Sequence, residues 1–223
     1  MRIGLIADVH ANHRALRTVL NDAPDVGQWI CAGDVVGYYP EVNEVCETLI
    51  RQGVHAVRGN HDAYVSGALS PAPERRDAYR TDWTRETLTP ENRHWLAGLP
   101  VELSLCLGAW HVRVRHASPW DEETYLYPDS SHLTRIELER NQYLVVGHTH
   151  RPMVRLSGAG YLVNPGAVGQ PRDYNPAASY AVLDTVTGTV ENRRVAYDVS
   201  AYQRFLTGLG WPVRSIAVLS RTA

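Results

Sequence analysis

Lysine is absent from the 223 residues, and all 22 basic side chains are arginine. Lysine-dependent chemistry is thereby excluded, a P-loop nucleotide grip and a Schiff base among it. Arginine offers instead a planar fork that suits phosphate oxygens. An excess of either charge is also lacking. The 24 acidic residues leave a formal net charge of −2, so no global electrostatic footprint for DNA or RNA is present. No apolar stretch approaches the roughly 20 residues of a membrane span. The opening run Ile3–Ala7 is too short for a secretory leader and ends at Asp8. Cysteine is scarce. Cys31, Cys46 and Cys106 are odd in number and show no CxxC spacing, against a disulfide framework, a zinc ribbon or a thioredoxin motif. They read as small buried hydrophobes in a reducing cytoplasm.

What is present begins as an alternation of strand and helix. Ile3–Ala7, Trp29–Ala32 and Val54–Val57 are short continuous apolar runs, as expected of strands covered on both faces. A helix from about Asn12 carries Ala15, Leu16, Val19 and Leu20 on one side and ends before Pro24. In the next, Pro40 suits the first turn, Val42, Val45, Cys46, Leu49 and Ile50 recur at helical spacing, and Gly53 closes it. This is a βαβαβ unit with a parallel sheet. Residues 66–100 are polar and helical in propensity, with Trp83, Leu88, Trp95, Leu96 and Leu99 as anchors and Thr89-Pro90-Glu91 as a helix start. They read as a helical insertion within a single domain spanning 1–223. The remainder is strand-rich: a hairpin over 101–115 turning at Gly108-Ala109, then strands at Tyr143–Val146, Tyr161–Val163, Tyr180–Leu183 and Thr189–Val195. Helices are expected over about Ser131–Asn141 and Val199–Leu209.

Polar motifs fall at the strand ends: Asp8-Val9-His10, Gly33-Asp34, Gly59-Asn60-His61-Asp62, His116, and Gly147-His148-Thr149-His150. In open α/β sheets ligands sit at the carboxyl ends of strands, so these residues are expected to be neighbours in space. Asp8 and His10 alternate by two, which on an extended strand end points both side chains the same way. Each motif alone is weak, since aspartates and histidines are common in exposed turns. Together they supply oxygen and imidazole donors without thiolate, a set suited to manganese, iron or zinc. Two such ions about 3.5–4 Å apart can clamp both ends of an in-line displacement at phosphorus.

The motif order, from Arg2 to about Asp184, resembles that of the calcineurin-like metallophosphoesterases. The segment from Asn164-Pro165-Gly166 to Asp173 resembles the small prokaryotic phosphodiesterase branch. The resemblance implies a four-layer αββα sandwich of two mixed β-sheets. It implies two divalent metals, manganese foremost, with iron, zinc, nickel or cobalt as alternatives. Asp8, His10 and His150 would hold one, Asn60, His116 and His148 the other, and Asp34 would bridge them. It further implies hydrolysis of a small phosphate ester, a diester foremost, by in-line attack of a metal-bridging hydroxide. His61 would assist the leaving oxygen. Arg172 is a candidate phosphate clamp, because its loop follows the Asn164-Pro165-Gly166 turn. Neither a membrane nor general nucleic-acid binding is implied.

Two positions depart from relatives. Where serine/threonine protein phosphatases of the family carry aspartate and arginine after the Gly-Asp motif, this chain has Gly37 and Tyr38. That disfavours a protein phosphatase and leaves open what orients His61, Asp62 being a candidate. Arg115 also precedes His116 where many relatives have a small residue. Two alternatives are a non-catalytic scaffold on the same fold and a hydrolase of nucleotide polyphosphates or cyclic nucleotides. In the latter, Tyr38, Tyr39, Trp120 or Tyr174 would stack on a base. The remaining histidines, at 13, 55, 94, 111 and 132, match no motif and read as surface or packing residues.

Overall fold

The expected opening unit is present in the computed structural model, which describes residues 1–222. Strand β1 (Arg2–Ile6) is followed by α1 (His13–Asp22), β2 (Gln28–Cys31), α2 (Val42–Arg51) and β3 (His55–Ala56). β1 and β3 each pair with β2 in parallel. Asn12 caps α1 by accepting from the Ala15 amide. Pro40 lies outside α2, ahead of its cap Glu41, and Ile50 is exposed. Next come α3 (Asn60–Ser66), α4 (Pro73–Arg76), α5 (Thr81–Thr87) and α6 (Pro90–Ala97), the last capped by the Thr89 hydroxyl as expected. Leu88, Leu96 and Leu99 are buried, and Trp83 and Trp95 pack partly buried against the same core.

The second half builds another sheet. β4 (Glu102–Leu107) and β5 (Trp110–Arg115) form the hairpin, with Gly108 at φ +66° in its turn. β6 (Gln142–Val145), β7 (Pro152–Ser157) and β8 (Gly160–Pro165) complete it in the order β4-β5-β6-β8-β7. β9 (Ala178–Asp184) and β10 (Thr189–Val195) return to the first sheet, giving β10-β9-β1-β2-β3. Helices α7 (Val199–Gly208) and α8 (Val213–Ala217) follow. Both sheets mix parallel and antiparallel pairs. Strand alternation sorts the core. Ile3, Leu5 and Ala7 meet Val112, Val114, Val145 and Val163 between the sheets, while Ile6 and Cys31 face helices on the far side.

Three expectations need correction. The helix over 131–141 is a 3-10 turn at Ser131–Arg135, after which Leu138 bridges to Gly158. Its helical look came from Leu133 and Ile136, which are buried with Leu126, Leu144 and Leu162 on the outer face of the second sheet. Cys106 is exposed on the outward side of β4, unlike the buried Cys31 and Cys46. Asp8 and His10 lie not in extended backbone but in left-handed conformations, at φ 52° and 49°.

Candidate metal centre

The loops after β1, β2, β5 and β6, together with the start of α3 after β3, meet at one edge of the sandwich. Backbone hydrogen bonds run from loop to loop there. The amides of Asp8, His10 and Ala11 donate to the carbonyls of Gly33, Asp34 and Val35, at 2.9–3.0 Å. Gly169 donates to Asp8, and Gly147 to His116. Close packing fixes residue types as well. A Cβ on Gly59 would lie 2.1 Å from Asp34 Oδ1, so only glycine admits the carboxylate at that spot.

All seven donors named from sequence converge. Oxygen or nitrogen atoms of Asp8, His10, Asp34 and His150 lie within 4.8 Å of one another, and so do those of Asp34, His116 and His148. Asp34 belongs to both groups. Its Oδ2 is 3.2 Å from His116 Nε2 and 3.6 Å from His10 Nε2, while Oδ1 accepts from the His61 amide. Asn60 joins the second group, its Oδ1 3.0 Å from His116 Nε2. Arg115 points away from the cage, to Pro119 O and Glu102, so it does not disturb His116.

The four imidazoles share one arrangement. Each turns one ring nitrogen outward to a backbone carbonyl: His10 to Val36, His116 to Ala32, His150 to Gln170 and His148 to Glu123, at 2.6–3.2 Å. A carbonyl only accepts, so these outer nitrogens carry the proton in neutral rings. The inner nitrogens then present lone pairs to one another, 3.1 Å apart between His10 and His150 and 3.2 Å between His116 and His148. Lone pairs facing at that range need a cation between them, a metal ion or, on His116 beside Asp34, a proton that metal would replace. Asp8 Oδ2 is also buried with no hydrogen-bond partner among the described residues. The donor set therefore fits divalent metal, with outer carbonyls fixing each ring as second partners do in metal sites.

Burial dominates the electrostatics. It pushes Asp8 up to about 7, His61 down to about 4 and His148 down to about 3, and holds His10 and His150 well below the ordinary imidazole value. Asp34 is equally buried, but the neighbouring imidazoles, His116 first, outweigh burial and hold it well below the carboxylate range. The same carboxylate, against burial, raises His116 to about 9.

Asp62 does not orient His61. Its carboxylate accepts from the amides of Gly59, Val35 and Val36, at 2.9–3.2 Å, and so ties the β2 loop to the start of α3. The His61 ring is placed by packing instead, between His10 and Tyr38, each 4.7 Å away between ring centres, and Tyr79 at 4.3 Å. Gly37 makes the room: a Cβ there would lie 2.5 Å from His61 Nδ1. Arg172 reaches Gln170 Oε1 at 2.8 Å and the Tyr38 hydroxyl at 3.1 Å, beside the cage. Of the aromatics singled out from sequence, only Tyr38 touches the site. Tyr39 is wholly buried against Gln170 and Ser215, Trp120 lies under Arg135 on the outer layer, and exposed Tyr174 meets Arg221. The sequence reading missed Tyr64, Tyr79 and Tyr125. Tyr125 stacks on His148 at 3.8 Å, and Tyr64 bonds Glu123. No spacing marked them, because they come from a helix and two irregular segments.

The model of the calcineurin-like phosphoesterase superfamily domain matches residues 1–188. The chain is a calcineurin-like phosphoesterase. It is 33% identical over 225 residues to an uncharacterized protein of Methanocaldococcus jannaschii, covering 92% of this chain and 91% of that one. It is 39% identical over 161 residues to phosphodiesterase YfcE of Escherichia coli, covering 69% and 85%. A metallophosphoesterase structure from Sphaerobacter thermophilus superposes with a TM-score of 0.83 at 33% identity, covering 99% and 98%. The two five-stranded mixed sheets flanked by helices are the fold of this phosphoesterase family. Among the described residues, no helix is long and apolar enough to cross a membrane.

Proposed function

We propose that this phosphoesterase is a phosphodiesterase acting on a small phosphate ester with two divalent metal ions, manganese foremost. Asp8, His10 and His150 would hold one ion, Asn60, His116 and His148 the other, and Asp34 both. The observation that carries the reading is the shared imidazole arrangement, outer nitrogens on carbonyls and inner nitrogens gathered around the two carboxylates. Bound metal would supply Lewis acidity toward phosphoryl oxygens and bring the pKa of water toward neutrality.

The chain's own residues do the rest. Asp34, shared between the groups, sets how close the two halves of the cage lie. Arg172 presents its guanidinium toward an anionic oxygen and is kept in place by Gln170 and Tyr38. His61, whose ring makes no hydrogen bond among the described residues, is free to donate its ring N–H to the departing oxygen and stabilise the charge that develops there, in the neutral form that burial favours. Tyr38, packed on both His10 and His61, keeps water from that side of the cage. The free cysteines suit a cytoplasmic setting.

Hydrolysis of bis(4-nitrophenyl) phosphate by purified protein, with Mn(II) and with chelator, tests the reading. Manganese-dependent turnover abolished by chelator is expected. A metal-replete sample that cleaves neither this diester nor 4-nitrophenyl phosphate would instead point to a non-catalytic scaffold.

A further inference from the structure

The seven donors and His61 are each 5% exposed or less, so the cage is covered as it stands. What covers His61 on its outer side is Tyr79, whose ring centre lies 4.3 Å from the imidazole. Tyr79 also sits edge-on to Tyr38 at 5.5 Å and parallel to Tyr64, 4° between planes at 6.0 Å. Three rings of the body thus hold one ring from a surface segment.

That segment is weakly attached. No residue from 67 to 80 is buried. Three backbone hydrogen bonds join it to the body: the Leu69 amide to Ala63 and the Tyr38 amide to the Tyr79 carbonyl, both at 3.2 Å, and the Thr84 amide to Arg80 at its end, at 2.8 Å. The Arg76 guanidinium adds an exposed ion pair with Asp82, worth little in water. The Tyr79 hydroxyl bonds Arg75, a residue of the same segment. Both ends carry left-handed backbone, Gly67 at φ +85° and Arg80 at φ 57°. A Cβ on Gly67 would meet nothing within 4 Å, whereas Arg80 is fixed over the Trp211 ring at 4.6 Å. A few terminal residues that absorb backbone change, flanking a segment with few buried contacts, are the parts of a hinged cover.

We propose that residues 67–80 form such a strap and that the Tyr79 ring fills the slot for the leaving group of the ester, which enters by displacing it. The proposal takes the leaving-group assignment of His61 from the function above, but the strap itself does not depend on it. The slot is lined by the rings of His61, Tyr38 and Tyr64 and already accepts a flat six-membered ring. It therefore selects esters whose leaving side is planar and aromatic, an aryl or nucleoside group, over saturated ones.

The test compares wild-type protein with Tyr79→Ala and Tyr79→Phe. In metal-free protein, diethyl pyrocarbonate labelling of His61, read by mass spectrometry, should run at least about fivefold faster in Tyr79→Ala and at wild-type rate in Tyr79→Phe. In manganese-loaded protein, calorimetric binding of phenylphosphonate should tighten about three- to tenfold in Tyr79→Ala, since a competing intramolecular occupant lowers apparent affinity by its occupancy. Phenylphosphonate should also bind at least about fivefold tighter than cyclohexylphosphonate, as ring stacking requires. Equal labelling in wild type and Tyr79→Ala overturns the strap, as does Tyr79→Phe behaving like Tyr79→Ala. Equal binding of the two phosphonates overturns the slot. If labelling and binding shift as expected while no ester is hydrolysed, the strap stands and the enzymatic reading falls.

Discussion

The two sheets contribute unequally to the centre. The first brings both aspartates, the carboxamide and one imidazole, on loops that follow buried parallel strands and are zipped to each other by backbone hydrogen bonds. The second brings three imidazoles, His116, His148 and His150, after strands whose edge, β7, leaves Val154 and Leu156 exposed. The anionic donors therefore all come from the first sheet, and the second contributes imidazoles alone. The cage spans the seam, and Asp34 with His116 is its closest charged contact across it, at 3.2 Å. A centre built this way depends on both sheets holding register, so metal binding should brace one sheet against the other.

Four experiments would break or sharpen that contrast. The largest effect is expected for Asp34→Ala, which removes the one oxygen donor common to both groups. Elemental analysis should find both metals gone and assays no turnover; retained stoichiometric metal would place the link between sheets elsewhere. A pH effect comes next. Metal must displace the proton from His116, raised to about 9 beside Asp34, and from Asp8, raised to about 7 by burial. Affinity therefore falls as pH drops through each value. The loss should be about tenfold per unit between pH 9 and 7 and up to about a hundredfold per unit just below, measured by competition with a chelator. His61→Ala, on the first sheet but outside the donor set, should keep both metals and slow turnover by about 10²–10⁴-fold. The smallest change is expected from Asn164→Ala. Asn164 bonds Gly147 O and the Thr149 hydroxyl and accepts from Gly166, so it aims the second sheet's histidine loop. Metal affinity measured by dialysis should fall about 10–100-fold, as for other supporting partners of metal ligands. Unchanged affinity would show that the loop holds its own shape.

Most of the first sheet was legible, because a fully buried parallel strand writes itself as an apolar run and the donors follow such runs directly. Residues Ile3–Ala7 and Trp29–Ala32 each locate a strand to within one residue. The same signal fails at β7. There Met153 is buried and Val154, Arg155 and Leu156 are exposed, so no two-residue alternation survives for a reader to find. Helix α8 follows Trp211-Pro212 and is one turn long, too short for periodicity to show. The donors were found, yet the geometric reason given for Asp8 and His10 was not the operative one. Extended alternation was expected, whereas left-handed backbone brings the two together. The surroundings of His61 were illegible for a plainer reason. Asp62 stood next in sequence, but it serves three amides, and the work falls to rings contributed by distant segments.

Five of the seven donors, Asp8, His10, Asp34, His148 and His150, sit at positive φ. Each such non-glycine residue carries about 1–3 kcal/mol of backbone strain, held in place by its surroundings. Glycine at any of the five would relax the chain while removing a donor. Selection for thermal robustness alone, with catalysis unmonitored, would on this account erase the centre one loop at a time.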